Sequence, residues 1–131
     1  MAQPKILEEK PITMVQLKAD LEKNKKNLGE LNFRAAKTEE YLDQFLALKH
    51  KEGEELAKKL NDLKIPRLRD AHIYKIIDLM PTKVELVKLL FQGTPLTISE
   101  DSCKKIVKVV EDHLPKKSKK EESAEEAKEE K

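Results

Sequence analysis

The stretch Ile76–Leu90, IIDLMPTKVELVKLL, ends one helix and starts another within a few residues. Proline has no backbone N–H, and its ring bars the preceding residue from the right-handed helical region. A helix running along Ile76–Leu79 therefore stops at Met80. Thr82 and Glu85 follow at capping-box spacing: the hydroxyl is placed to accept the Glu85 amide, and the carboxylate to accept the Thr82 amide. Ile, Leu and Val crowd both sides of the corner. The spacing predicts a helix–corner–helix whose two apolar arms need something to pack on.

Working outward, the prolines punctuate the chain. Pro11 precedes the first helix signal, Pro66, Pro81 and Pro95 separate apolar segments, and Pro115 ends the last one. Thr13 caps a first helix carrying Met14, Leu17, Leu21 and Leu28, which Gly29 closes. Asn32 caps a second with Leu31, Ala35, Leu42 and Phe45. A third runs from about Lys51 to Leu63, with Leu56, Leu60 and Leu63 on one face. A fourth runs from about Leu68 to Leu79, with Ile73, Ile76, Ile77 and Met80. A fifth follows Thr82 with Val84, Val87, Leu90 and Phe91, and ends at Gly93 and Pro95. Ser99 caps a sixth, in which Cys103, Ile106, Val107, Val110 and Leu114 keep a 3.6-residue stripe.

The N-terminal KILEE, Lys5 to Glu9, reads as a short extended segment between prolines. One strand alone cannot satisfy its own backbone groups, and the chain has no second convincing strand. The segment is either a loose terminus or pairs with another protein by strand addition.

Three divisions follow. Residues 1–64 hold the extended segment and lightly apolar helices, residues 65–114 form a helical unit denser in Ile, Val and Leu, and residues 115–131 form a charged disordered tail. Beyond Leu114 no large apolar side chain remains to offset the ordering entropy of the tail.

Composition narrows the function. Charged residues make up 40% of the 131, yet the net charge is only +2, so the overall field does not drive nucleic-acid binding. Two Tyr, three Phe and no Trp are a thin supply for base stacking. The single Cys103 excludes an internal disulfide and fits a reducing compartment. No apolar run approaches the roughly 20 residues that span a bilayer, and the N-terminus lacks the apolar core of a signal peptide. The expectation is a soluble, cytoplasmic protein without a membrane partner.

Chemistry-bearing patterns are missing. Gly29, Gly53 and Gly93 are isolated and make no phosphate loop. His50, His72 and His113 lie far apart and lack metal-ligand spacing; His113 suits the negative end of the last helix. Cys103 sits in an apolar stripe, as a structural thiol does. Carboxylates alternate with lysines in a surface pattern. We expect no catalytic residue, no metal, no cofactor and no small-molecule substrate.

The ordered series KILEEKPIT, LNFRAAKTEEYLDQFLAL, IIDLMPTKVELVKLL and LTISEDSCKKIVKVVEDHL, over about residues 5 to 114, resembles the F stalk subunit of archaeal DNA-directed RNA polymerase. That family is the counterpart of the fourth subunit of eukaryotic RNA polymerase II. The resemblance implies an all-α fold with one short N-terminal β-strand, a helical N-terminal region and a C-terminal HRDC-like helical domain over 65–114. It implies a heterodimer with the other stalk component, the E stalk subunit of the polymerase, which carries an OB-fold. Through that partner it implies contact with the polymerase core. The N-terminal strand would extend the partner's sheet. The chain would have no active site of its own and would support promoter opening, elongation and termination.

On this resemblance Ile6, Leu7, Ile12, Met14 and Leu17 are the expected partner-binding residues. Asp78, Leu79, Pro81, Thr82 and Glu85 are expected to build the corner and to offer a further partner contact. The alternative is an HRDC-like nucleic-acid-binding module acting without a polymerase partner. It would use Lys64, Arg67, Arg69, Lys75, Lys104 and Lys105. Within the stalk reading, nucleic-acid contact is weak or indirect.

Overall fold

The computed structural model describes residues 3–46 and 48–114, and the expected tail over 115–131 lies outside them. The described chain is all-helical: α1 Met14–Leu28, α2 Phe33–Phe45, α3 His50–Asp62, α4 Asp70–Leu79, α5 Val84–Leu90 and α6 Glu100–Asp112. The strand expected at Ile6 and Leu7 does not form; no strand is present among the described residues. A lone extended segment has no neighbouring strand here to complete its ladder.

Local chemistry sets most helix ends. The Thr13 hydroxyl accepts the Gln16 amide at 3.1 Å, the Asn32 side chain the Ala35 amide at 2.8 Å, and the Ser99 hydroxyl the Ser102 amide at 3.3 Å. Gly29, at φ 78°, closes α1 by donating to the Lys25 carbonyl. The His113 imidazole Nδ1–H donates to the Val109 carbonyl at 2.8 Å and satisfies part of the last turn of α6.

The corner differs in detail from its sequence reading. α4 does end at Leu79, but Met80 turns left-handed (φ 47°, ψ 62°), its amide donating to the Ile76 carbonyl at 2.8 Å. The Thr82–Glu85 capping box does not form. Lys83 remains extended (φ −124°, ψ 149°) and becomes the N-cap, without a side-chain cap hydrogen bond. The helix thus begins one residue later than the box requires, which puts Glu85 in its first turn.

α3 packs against α4 and α6, α5 against α6, and α1 against α2 and α3. One core joins α1, α3, α4, α5 and α6, and α2 lies outside it. Leu56, Leu60, Ile76, Val87, Ile106 and Val110 are fully buried, joined by Val15 at 3%. It crosses the boundary expected at residues 64 and 65, because α3 supplies two of its most enclosed side chains. No polar or charged side chain is buried among the described residues.

The approach of α1 to α3 depends on Gly53. A Cβ at this position would lie 3.2 Å from Val15 Cγ1. Gly53→Leu is expected to lower stability by about 1–3 kcal/mol in urea unfolding, because the side chain must displace Val15. Gly53→Ala is expected to stay within about 1 kcal/mol of wild type, its better helix propensity offsetting the tight contact.

Candidate functional site

The arm before α1 is the most exposed apolar part of the chain. Ile6 is 73% exposed, Leu7 89% and Ile12 51%. No backbone hydrogen bond joins residues 3–12 to the rest of the described chain. Met14 and Leu17, the other two residues expected to face a partner, are half-buried on α1. Val15, between them, enters the core instead.

The arm is rooted by a contact that crosses most of the sequence. The Met14 amide donates to Asp78 Oδ1 at 2.9 Å. Asp78, expected to build the corner, lies on α4 and caps α1. α1 has no acidic residue in its own first turn, so Asp78 places the anion that a helix N-terminus favours. Burial pushes the Asp78 carboxyl above its ordinary range, and the Met14 hydrogen bond opposes that shift. Beside this root, His50 Nε2–H donates to Gln16 Oε1 at 2.8 Å, and Gln16 Nε2 donates to Asp20 Oδ1 at 2.9 Å.

The corner residues separate. Pro81 is buried, Thr82 half-buried and Glu85 exposed. Leu79 is 57% exposed and lines an apolar groove of about 380 Å³ with Pro81, Leu86, Leu89, Leu90, Lys75 and Gln92. α5 is only 7 residues long yet carries leucines on more than one face, so turning Val87 inward leaves Leu86 and Leu89 outside.

A third apolar surface is absent from the sequence expectations. Phe33, Tyr41 and Phe45 of α2 are exposed, and the Tyr41 and Phe45 rings lie 4.7 Å apart. Periodicity puts Phe45 on one apolar stripe with Leu42, but Leu42 alone is buried in α2. The available signal is the i,i+4 pairing of two aromatics on a helix with little else apolar.

The candidate reactive groups have structural surroundings. Cys103 is buried, and burial pushes its thiol up despite the Lys88 charge. His72 Nδ1 accepts the Arg69 amide at 3.1 Å, with its ring edge-on to Phe91. No three metal-ligating side chains come together among the described residues. Among the described residues no helix is long and apolar enough to cross a membrane.

Residues 4–114 match the protein family described as RNA polymerase Rpb4. A comparison with curated protein sequences gave no match.

Asp78 provides a pH test. Its folded pKa lies above the unfolded value, so between the two the folded chain binds more protons, and stability falls as pH rises through that window. Asp78→Asn keeps an acceptor for Met14 and removes the half-buried charge. At neutral pH the variant is expected to be at least as stable as wild type by thermal unfolding. On acidification through the Asp78 titration, wild type should close any gap. A wild type that instead loses ground to the variant on acidification would mean that the Met14 hydrogen bond outweighs desolvation.

Proposed function

Because the chain belongs to the RNA polymerase Rpb4 family, and is thereby a component of DNA-directed RNA polymerase acting in transcription, we propose that it is the non-catalytic F stalk subunit. On this reading it forms a heterodimer with the E stalk subunit, joins the polymerase core through that partner, and supports promoter opening, elongation and termination. The observation that carries the reading is the arm: Ile6 and Leu7 are 73% and 89% exposed, on a backbone with no partner in the described chain. Apolar side chains on unpaired extended backbone suit addition to the edge of another protein's sheet, where the ladder supplies affinity and alternate side chains enter pockets.

Ile12, Met14 and Leu17 continue this surface onto α1. Leu79 and Pro81 add the groove at the corner, while Thr82 and Glu85 are outside its lining. Residues 1–64 carry the partner-binding region, and residues 65–114 are an HRDC-like helical domain whose core draws in α3.

The second reading is a nucleic-acid-binding module that acts without a polymerase partner. Lys64 and Arg67 favour it: both are exposed, and both sit at positive φ (47° and 63°) in the loop between α3 and α4. A left-handed backbone at a non-glycine residue stores strain, which is often found at functional sites. Two of the other cations in this reading are engaged, Lys75 with the Leu90 carbonyl and Lys104 with Glu100.

Co-expression with the OB-fold stalk partner, followed by size-exclusion chromatography with light scattering, is expected to give a stable one-to-one complex. The Ile6→Asp/Leu7→Asp double variant should weaken it by at least about tenfold, or about 1.4 kcal/mol, while the unfolding temperature of the free chain holds. A folded monomer that forms no complex would sink the stalk reading. Salt-sensitive binding of single-stranded RNA by that monomer would favour the second.

A further inference from the structure

We propose that Asp78 is a positioning residue for partner binding: by clamping the first amide of α1 it fixes the root of the N-terminal arm beside the apolar corner, so that arm and corner meet one partner together. The inference rests on the stalk reading and names a residue that this reading leaves among the corner positions.

The first amides of a helix have no carbonyl within the helix, and each needs an outside acceptor. Thr13 supplies one locally, to Gln16, and Asp78 supplies another, to Met14, from a helix 64 residues away in sequence. α1 and α4 share little other contact, since α1 packs on α2 and α3. The carboxylate therefore links the root of the arm to the corner directly.

Two consequences follow for binding. Ordering a residue costs backbone entropy. A first turn that frays would add its own residues to the arm that must be ordered when a partner is met. A clamped Met14 confines that cost to the residues before it. In addition, Asp78 is followed directly by Leu79, which lines the groove with Leu86 and Leu89. Holding Met14 to Asp78 thus sets the position of Ile12, 51% exposed, relative to that groove.

The test compares three variants of the full chain in complex formation with the OB-fold stalk partner, reading Kd by titration and Met14 amide exchange by NMR. Asp78→Ala removes the acceptor and is expected to weaken binding about tenfold while Met14 exchange accelerates. Asp78→Asn retains an acceptor oxygen and is expected to bind within about twofold of wild type, with Met14 protected. Thr13→Ala removes the other cap of the same helix at comparable cost in stability but leaves the link to α4. It is expected to bind as wild type does.

If Asp78→Ala binds as tightly as wild type, the inference is overturned and the stalk reading stands. If Thr13→Ala weakens binding as much as Asp78→Ala, the effect is general loosening of α1 and the positioning role is likewise overturned. If wild type forms no complex, the stalk reading fails and this inference fails with it.

Discussion

The constraint on which the structure turns is the Met80–Pro81 step. Pro81 cannot donate, and its ring closes the right-handed region to Met80, so the chain has to leave α4 there. It leaves through the left-handed region, at a cost of about 1–2 kcal/mol for a residue with a side chain. In return α5 folds back early enough for Val87 and Phe91 to reach the same core as Ile76, Ile77 and Ile106. α5 packs on α6 in this arrangement. The same geometry leaves Leu79, Leu86 and Leu89 outside. Seven helical residues rich in leucine cannot turn every apolar side chain inward.

What the sequence disclosed is what local chemistry decides. Thr13, Asn32 and Ser99 cap the helices they precede because each acceptor lies within three residues of the amide it serves. The Thr82–Glu85 pair has equally good spacing but does not close, because the register of α5 is set by the left-handed Met80 and the fit of Val87 into the core. Residues three apart cannot announce that competition. The stripe on α1 departs from its periodicity for a related reason. α1 packs against α2 and α3 at once, so burial falls on Val15 and Leu21 while Leu28 is 77% exposed. Val15 packs directly over Gly53, where the missing side chain lets the two backbones come close, a pairing with no periodic trace.

The functional surface is legible in part. The arm can be read as a segment without a pairing partner in its own chain, since that needs only the absence of a second strand pattern. The family can be read from the order of four segments, and it matches over residues 4–114. The hydrogen bond from Met14 to Asp78 cannot be read. Nothing in the sequence of α4 distinguishes a carboxylate that caps a distant helix from one that faces water. The aromatic stripe of α2 escapes periodicity because a helix is expected to turn its large apolar residues inward, and Phe33, Tyr41 and Phe45 do the reverse.

These exposed apolar surfaces share a physical background. The chain is 40% charged, with a net charge of +2, and the ion pairs that join α1 to α2, Lys18 to Asp43 at 2.8 Å and Lys25 to Glu39 at 3.2 Å, are partly exposed to solvent. Such pairs contribute about 0–1 kcal/mol each. α2 buries only Leu42, so little beyond these pairs and one leucine holds it to α1. α3, α4 and α6, in contrast, each bury three side chains or backbone positions and close on one another. Stability is therefore graded along the chain, low in the arm and α2 and high in α3, α4 and α6. The weakly held parts are also those with exposed Ile, Leu, Phe and Tyr. A partner that covers them gains apolar burial and supplies packing that the chain does not provide for itself. Asp78 joins the two regimes, because it stands on a firmly held helix and caps the one from which the arm departs.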